Sequence, residues 1–280
     1  MDAYTPSGRL GRMPLLLVLV GVPAMAVLSA AYSYLIVWLP IAGWITFLIT
    51  FGFAFCAGVV ASLIGSRGHC RSPGAMRLAG LALGCVALYG AWIFFLHALI
   101  GRDPDPGEKP TLLTLVTNPA GCWSVIQALN AEGWYTIKSM TPSGIVLWAF
   151  WAIEAAIIVG GITLIAPGGV TNELYCETCG KWCVAVETTW RQLTREQGNE
   201  AVDQLDPATL YALPAVAQAK TPSLKIERLT CPDCETAAGL RFTRCIESTN
   251  DKGETKTAEQ IVCPIQLIAP GELKPQRKLA

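Results

Sequence analysis

Four long apolar segments dominate the N-terminal part of the chain. They cover about residues 14–39, 41–64, 78–100 and 145–166, and each is at least 22 residues long. A helix rises about 1.5 Å per residue, so each segment is long enough to cross a bilayer, whereas a buried helix of a soluble protein is usually shorter and polar on one face. The pattern therefore predicts four transmembrane helices, the first two joined by an uncharged turn at 40–43.

The chain becomes polar after Gly168. Only 15% of the 280 residues are charged, and most of those charges lie beyond this point. We therefore predict an α-helical integral membrane domain at 1–168 and a small β-rich domain at 169–280. A net charge of zero argues against a strongly basic nucleic-acid surface.

Alternating and β-branched positions predict strands at 184–190 and 224–229. Two further apolar segments flank Asn250-Asp251-Lys252-Gly253, which predicts a β-hairpin. Residues 195–220 differ, because Asp206-Pro207 is a typical helix start and leucines follow it. We interpret them as a mostly helical insertion.

The predicted loop at 101–144 carries its own helix signals. Asn118-Pro119 suits a helix start and Gly133 suits a helix end. Trp123 and Trp134 are typical of residues at the membrane surface, so we predict a short interfacial helix on the outer side.

Arginines near the segment ends predict the orientation. Arg9 and Arg12 precede the first segment, and three more arginines lie between the second and third segments, where no acidic residue offsets them. Positive loops stay in the cytosol, so both termini are predicted to be cytosolic. The first segment could instead be a cleaved signal peptide ending near Ser29-Ala30-Ala31, which would leave three spans without moving the C-terminal domain.

One acidic residue lies inside the apolar region. Glu154 is near the middle of the fourth segment, where an ionised side chain facing lipid is costly. Ser29, Thr50 and Tyr89 fall at a similar depth and are its predicted hydrogen-bond partners. We interpret this possible intramembrane polar site as a clasp between helices, with a proton or cation site as the alternative.

The strongest chemical signal is a pair of short cysteine motifs in the polar domain. Cys176-Glu-Thr-Cys179 and Cys231-Pro-Asp-Cys234 each place two thiols on one turn, and together they supply four sulfurs for a closed tetrahedral site. The cytosol keeps thiols reduced, which favours metal binding over disulfides.

These motifs, together with the predicted strands and hairpin, resemble a zinc ribbon over about residues 174–268. The resemblance implies that Cys176, Cys179, Cys231 and Cys234 are metal ligands. Two features depart from the family: 51 residues separate the motifs, and Glu235 rather than glycine follows the second one. Rubredoxins share the pattern, so iron is the competing metal, although zinc is favoured.

Three other cysteines of this domain remain. Cys183 is close enough to the first motif to compete with Cys179 as a ligand, and Cys245 and Cys263 lie on opposite strands of the predicted hairpin. Core packing is the interpretation we favour for all three.

The sequence thus predicts a multi-pass membrane protein that anchors a structural zinc-ribbon-like module and binds a protein partner at the cytosolic face. A four-thiolate site leaves no position for water, and no Ser-His-Asp set, paired carboxylates or phosphate loop is present, so an enzyme is not favoured. The alternatives are an oligomeric transporter or channel component that uses Glu154, and an iron-site electron-transfer protein. Small residues at Gly80 and Gly84 suit close helix packing, either within the chain or in a homo-oligomer.

Overall fold

The computed structural model describes eight stretches of the chain, which cover residues 2–39, 44–102, 109–134, 141–194, 206–216, 220–234, 236–249 and 255–269. The chain forms two compact units. The helical unit comprises Gly8–Thr171, and the sheet unit comprises Met1–Ser7 together with Asn172–Ala280. The predicted turn at 40–43 lies outside the described residues.

The helical unit contains four long apolar helices. The first begins as α1 (Met13–Leu16) and continues through a π-helical turn into α2 (Val22–Trp38). The others are α3 (Trp44–Arg67), α4 (Pro73–Arg102) and α7 (Gly144–Ile165). Each is long and apolar enough to cross a membrane, which confirms the four predicted segments as candidate spans.

The third helix begins earlier than its apolar segment predicts. Ser72 caps α4, since the Ala75 amide donates to Ser72 Oγ over 3.2 Å, and Pro73 occupies the first turn. Arg77 therefore belongs to the helix rather than to the loop before it. The predicted segment begins at Leu78 because the charged Arg77 interrupts the apolar pattern, although residues from Pro73 onward are helical.

Hydroxyl groups and small residues hold these helices together. Ser29 Oγ donates to the Ala87 carbonyl over 2.9 Å, and Ser33 Oγ donates to the Ala91 carbonyl over 2.7 Å, which joins α2 to α4. On α4, a Cβ added at Gly80 would lie 2.8 Å from Ala166 Cβ. The Gly80 position is therefore used for packing within the chain.

Two short helices connect α4 to α7. They are α5 (Leu112–Thr117), which the sequence analysis missed, and α6 (Pro119–Glu132). The side chain of Asn118 accepts from the Gly121 amide over 2.9 Å and Gly133 ends α6 with φ of 78°, which confirms both predicted helix signals.

The side chains of α6 pack against an aromatic cluster of the long helices. The sequence analysis predicted only that aromatic residues of α6 lie at the membrane surface. Its buried side chains are Cys122, Ile126 and Asn130. Trp123, predicted to be an anchor, is 51% exposed and lies 5.4 Å from Trp148 of α7, measured between ring centroids. The two rings are tilted by 39°, and this aromatic contact helps to fix the position of α6 on α7.

The sheet unit is built on seven antiparallel strands among the described residues. Their order is β1-β9-β7-β6-β4-β5, and β8 also pairs with β7. The long central strands are β4 (Val184–Gln192), β6 (Ser223–Thr230) and β7 (Ala238–Thr249). The shorter strands are β1 (Asp2–Ala3), β5 (Ala215–Val216), β8 (Thr255–Ile261) and β9 (Gln266–Leu267).

One face of this sheet supplies an apolar core. The cluster combines side chains from β6, β7 and a short helix, α8 (Pro207–Ala212), which Asp206 caps by accepting from the Ala208 amide over 3.2 Å. Its buried members are Leu193, Leu210, Leu224, Ile226, Leu240 and Phe242. Leu210, fully buried, belongs to this core, and Tyr211 and Leu213 of the same insertion pack against it.

The strand predictions at 184–190 and 224–229 are confirmed as β4 and β6, and β7 pairs with β8 as the predicted hairpin. Its turn at 250–253 lies outside the described residues. The predicted helix start at Asp206-Pro207 is confirmed as α8, but the described part of the insertion at 195–220 is not mostly helical, because α8 has six residues and β5 adds to the sheet beside Trp190 and Arg191. Backbone hydrogen bonds to β4 favour an extended conformation at 215–216 over continued helix.

The N-terminal residues belong to the sheet. Asp2 pairs with Leu267 and Ala3 pairs with Gln266, and the Tyr4 amide donates to the Ile265 carbonyl over 2.7 Å. The sequence analysis assigned these residues to the membrane domain. Cleavage near Ala31, the signal-peptide alternative, would remove a strand of the folded unit.

Candidate metal centre

The first cysteine motif forms the turn of a two-stranded hairpin. β2 (Tyr175–Cys176) pairs with β3 (Lys181–Trp182), and the turn between them carries Cys179. The Gly180 amide donates to the Cys176 carbonyl over 2.9 Å, and Gly180 has φ of 67°. A residue with a Cβ would be strained in that conformation, which explains the glycine after the second cysteine.

The second motif connects β6 to β7. Cys231 directly follows Thr230, the last residue of β6, and its amide donates to the Ala237 carbonyl over 3.0 Å, just before β7 begins. Cys234 lies on the turn between them. Glu235, which the sequence analysis contrasted with glycine, lies outside the described residues.

Pairing of β4 with β6 brings the two motifs together. Val184, the first residue of β4, lies opposite Thr230, and the pairing extends to Gln192 opposite Ser223. Gln192 and Ser223, the paired residues at the other end of these strands, therefore lie about 25 Å from the motifs at roughly 3.3 Å per residue. The 51-residue separation does not disperse the site, because antiparallel pairing returns the chain to its start.

The four predicted thiols converge. The Sγ atoms of Cys176, Cys179, Cys231 and Cys234 all lie within 4.8 Å of one another. Cys176 Sγ and Cys234 Sγ are 3.6 Å apart. Zinc–sulfur bonds of about 2.3 Å in a tetrahedron separate the sulfurs by about 3.8 Å. The donor set and its spacing therefore fit one metal ion held by four sulfurs.

Hydrogen bonding makes the four thiols unequal. Thr236 Oγ1 lies 2.9 Å from Cys234 Sγ, and hydrogen bonds from Thr236 lower the pKa of the Cys234 thiol to about 6. The shared hydrogen bond with Cys234 raises the pKa of Cys179. Hydrogen bonding therefore favours the thiolate form at Cys234, and a bound cation would favour the thiolate form of the others.

An ion pair links the two motifs at the surface. Lys181 Nζ lies 2.8 Å from Asp233 Oδ2, and both side chains are about half exposed. Such a pair contributes little stability in water. The ion pair instead restricts the geometry of the site, because it joins β3 to the second cysteine turn.

Cys176 and Cys231 of the four-cysteine centre belong to a small buried cluster. Its members are Leu174, Cys176, Cys183, Leu229, Cys231 and Ile265, and Tyr4 packs against them from the N-terminal segment. Ser7 Oγ adds a second contact by donating to Glu177 Oε1 over 2.6 Å. Sequence reasoning missed this contribution, because a strand of two residues has no detectable alternation.

The remaining cysteines of the sheet unit lie outside the thiol group. Cys183 is 5% exposed, its Sγ lies 3.9 Å from the Ala237 carbonyl oxygen, and burial raises the pKa of its thiol to about 12. Cys245 is buried opposite Glu259, and Cys263 packs against the apolar core of the sheet. The register thus pairs Cys245 with a residue other than Cys263.

The predicted partners of Glu154 bond elsewhere. Ser29 donates to Ala87, Tyr89 donates to the Val116 carbonyl over 2.8 Å, and Thr50 Oγ1 lies 3.0 Å from the Tyr32 hydroxyl. In the described part of the chain, no hydrogen bond joins Glu154 to any of the three. Ser29 and Tyr89 donate instead to backbone carbonyls of other helices, and Thr50 Oγ1 donates to the Thr46 carbonyl of its own helix.

Glu154 nevertheless has a polar neighbour that the depth argument missed. Tyr32 of α2 lies within electrostatic range of the Glu154 carboxyl, and its ring stacks on Phe53 at 4.7 Å between centroids. Tyr32, Thr50 and Glu154 come from three different long helices.

Fold and site together define a class of protein: four long apolar helices joined to a sheet unit with a four-cysteine centre that could hold a metal ion, compatible with a zinc-ribbon-like module. No protein-family model, curated protein or solved structure matches the chain.

Proposed function

We propose that this is a multi-pass membrane protein whose four-cysteine centre binds structural zinc and thereby organises a cytosolic module that binds a protein partner. The convergence of four Sγ atoms within 4.8 Å carries the proposal. Four thiolate ligands saturate a tetrahedral ion, so the metal has no open position for substrate or water. Its contribution is to stabilise the sheet around Cys176 and Cys231, both 1% exposed or less.

The shared sheet supports the proposed topology. The first strand and the C-terminal strands belong to one unit, which favours a helical unit that begins and ends on the same side of a bilayer. Four crossings satisfy this condition, and three do not. The arginines near the ends of α1, α3 and α4 favour the cytosol for that side.

Metal analysis of the full-length protein in detergent tests the proposal. We expect one zinc ion per chain, a colourless protein, and loss of the bound ion to a strong chelator with parallel loss of amide protection in β6 and β7. The full chain is required, because a fragment that starts near residue 170 lacks β1 and Tyr4. A red, redox-active protein would instead establish the iron-site alternative, and a metal-free protein with protected β6 amides would contradict both.

Partner binding needs a separate comparison. The full-length protein in nanodiscs is used to capture cytosolic proteins, before and after chelation. A partner of the module is retained by the metal-loaded protein, released on chelation and recovered when zinc is returned. Partners that chelation leaves bound do not support the proposal.

Glu154 favours a second candidate function, a transporter or channel component that acts as an oligomer. The observation is an acidic residue in the middle of a candidate span that, among the described residues, makes no hydrogen bond to Ser29 or Tyr89, both of which donate to backbone carbonyls. We expect Glu154→Gln, which keeps shape and removes the charge, to abolish proton or cation flux into vesicles without changing assembly. A matched control is Thr163→Val, since Thr163 bonds only to the Val159 carbonyl of its own helix among the described residues. Equal flux in wild type and Glu154→Gln would exclude this role.

A further inference from the structure

The segment before α1 and the loop between α3 and α4 are joined by backbone hydrogen bonds. The Arg12 amide donates to the Gly68 carbonyl over 2.7 Å, and the Arg71 amide donates to the Arg9 carbonyl over 2.8 Å. The two segments are far apart in sequence, yet their arginines are brought to the same end of the long helices.

Close backbone approach makes this junction specific. Gly11 has φ of 57°, and a Cβ added there would collide with the carbonyl oxygens of Gly68 and His69. Only glycine fits this position without displacing one segment from the other. The glycine at position 11 therefore allows the close contact between the two segments.

Positive charge accumulates at this end of the helices. We define the arginine face as Arg9, Arg12, Arg67, Arg71 and Arg77. All except Arg71 are exposed. Within the described residues of the helical unit, the acidic side chains are Glu132 on α6 and Glu154 in the middle of α7, so none lies beside these arginines in the sequence.

The N-terminal end of α4 adds to the positive electrostatic potential of the arginine face. Its N-terminal turn lies between Arg71 and Arg77, and the positive end of a helix of 30 residues points there. Directly after Arg77, Leu78 is 70% exposed, and Leu81 is 45% exposed one turn later. Cationic and apolar groups thus follow each other along one side of the helix.

We propose that the arginine face binds the phosphate headgroups of anionic lipids, with the acyl chains lying along α4 beside Leu78 and Leu81. Guanidinium groups match phosphate oxygens in charge and in paired hydrogen-bond geometry. A soluble phosphate would satisfy the arginines but not the adjoining apolar side chains. This assignment is independent of the metal centre and of any protein partner.

The test titrates the full-length protein in neutral detergent with a short-chain phosphatidylglycerol, and binding is followed by native mass spectrometry. The matching phosphatidylcholine and inorganic phosphate are titrated separately. We expect phosphatidylglycerol to bind, phosphatidylcholine not to, and inorganic phosphate to bind far more weakly. Replacing Arg12, Arg67 and Arg77 by glutamine should weaken phosphatidylglycerol binding on the order of 100-fold, since each arginine near an anionic surface adds about a fivefold factor.

A control removes the same charge elsewhere. Lys109, Lys220 and Lys256 are exposed and lie outside the arginine face, so their triple glutamine variant should bind phosphatidylglycerol as wild type does. If both triple variants weaken phosphatidylglycerol binding equally, the effect depends only on net charge, and the proposal that the arginine face is the binding site is wrong. Inorganic phosphate binding as tightly as phosphatidylglycerol would overturn the lipid assignment, and so would equal binding of both lipids.

Discussion

Replacing Cys231 with serine is expected to release the metal and to unfold the sheet unit. Cys231 is fully buried and directly follows β6, the strand that pairs with both β4 and β7. A structural zinc site contributes about 10 kcal/mol or more to folding, which is comparable to the whole stability of a typical domain, about 5–15 kcal/mol. Loss of one thiolate leaves three ligands and a buried hydroxyl, so we expect hydrogen-exchange protection to disappear throughout β6 and β7.

Cys245→Ser is the matched control for this prediction. Cys245 is buried on β7, yet it lies outside the four-thiol group. Its replacement should keep one metal ion per chain and cost only about 1–3 kcal/mol, the usual penalty for burying an unpaired hydroxyl. The proposed role of the metal fails if Cys231→Ser retains both the metal and the protected amides, or if both variants lose them equally.

The sequence predicted the features that are encoded locally. A helix long enough to cross a membrane is visible as an apolar segment, and the ends of α6 are visible as Asn118 and Gly133, because capping involves neighbouring residues. The cysteine turns are equally local. Each motif places its own two thiols on one turn, independently of the rest of the chain.

Features that depend on distant pairing could not be predicted in the same way. Nothing near Cys179 or Cys231 indicates that Val184 lies opposite Thr230, and this register is what brings the two motifs together. The strand formed by Asp2 and Ala3 is too short for any pattern. Its formation depends on the free edge of β9, which exists only in the folded sheet.

The Glu154 prediction shows the same limit inside the helical unit. Depth along a helix can be counted from the sequence, but the direction in which a side chain points cannot. Ser29 and Tyr89 lie near the expected depth and bond to carbonyls, whereas Tyr32, three residues from Ser29, is the group within electrostatic range of Glu154.

Gly80→Leu is expected to destabilise the packing of the long helices strongly. An added Cβ at Gly80 would lie 2.8 Å from Ala166 Cβ and 3.0 Å from the Ile162 carbonyl oxygen, so α4 and α7 would have to separate. We expect the variant to lose about 3 kcal/mol or more, because neither backbone can move alone in a packed bundle. Gly52→Leu is the control, since a Cβ at Gly52 of α3 has no neighbour within 4 Å. Unfolding in a mixed detergent titration should shift strongly for Gly80→Leu and barely for Gly52→Leu, and equal shifts would mean that the α4–α7 contact does not determine the stability of the bundle.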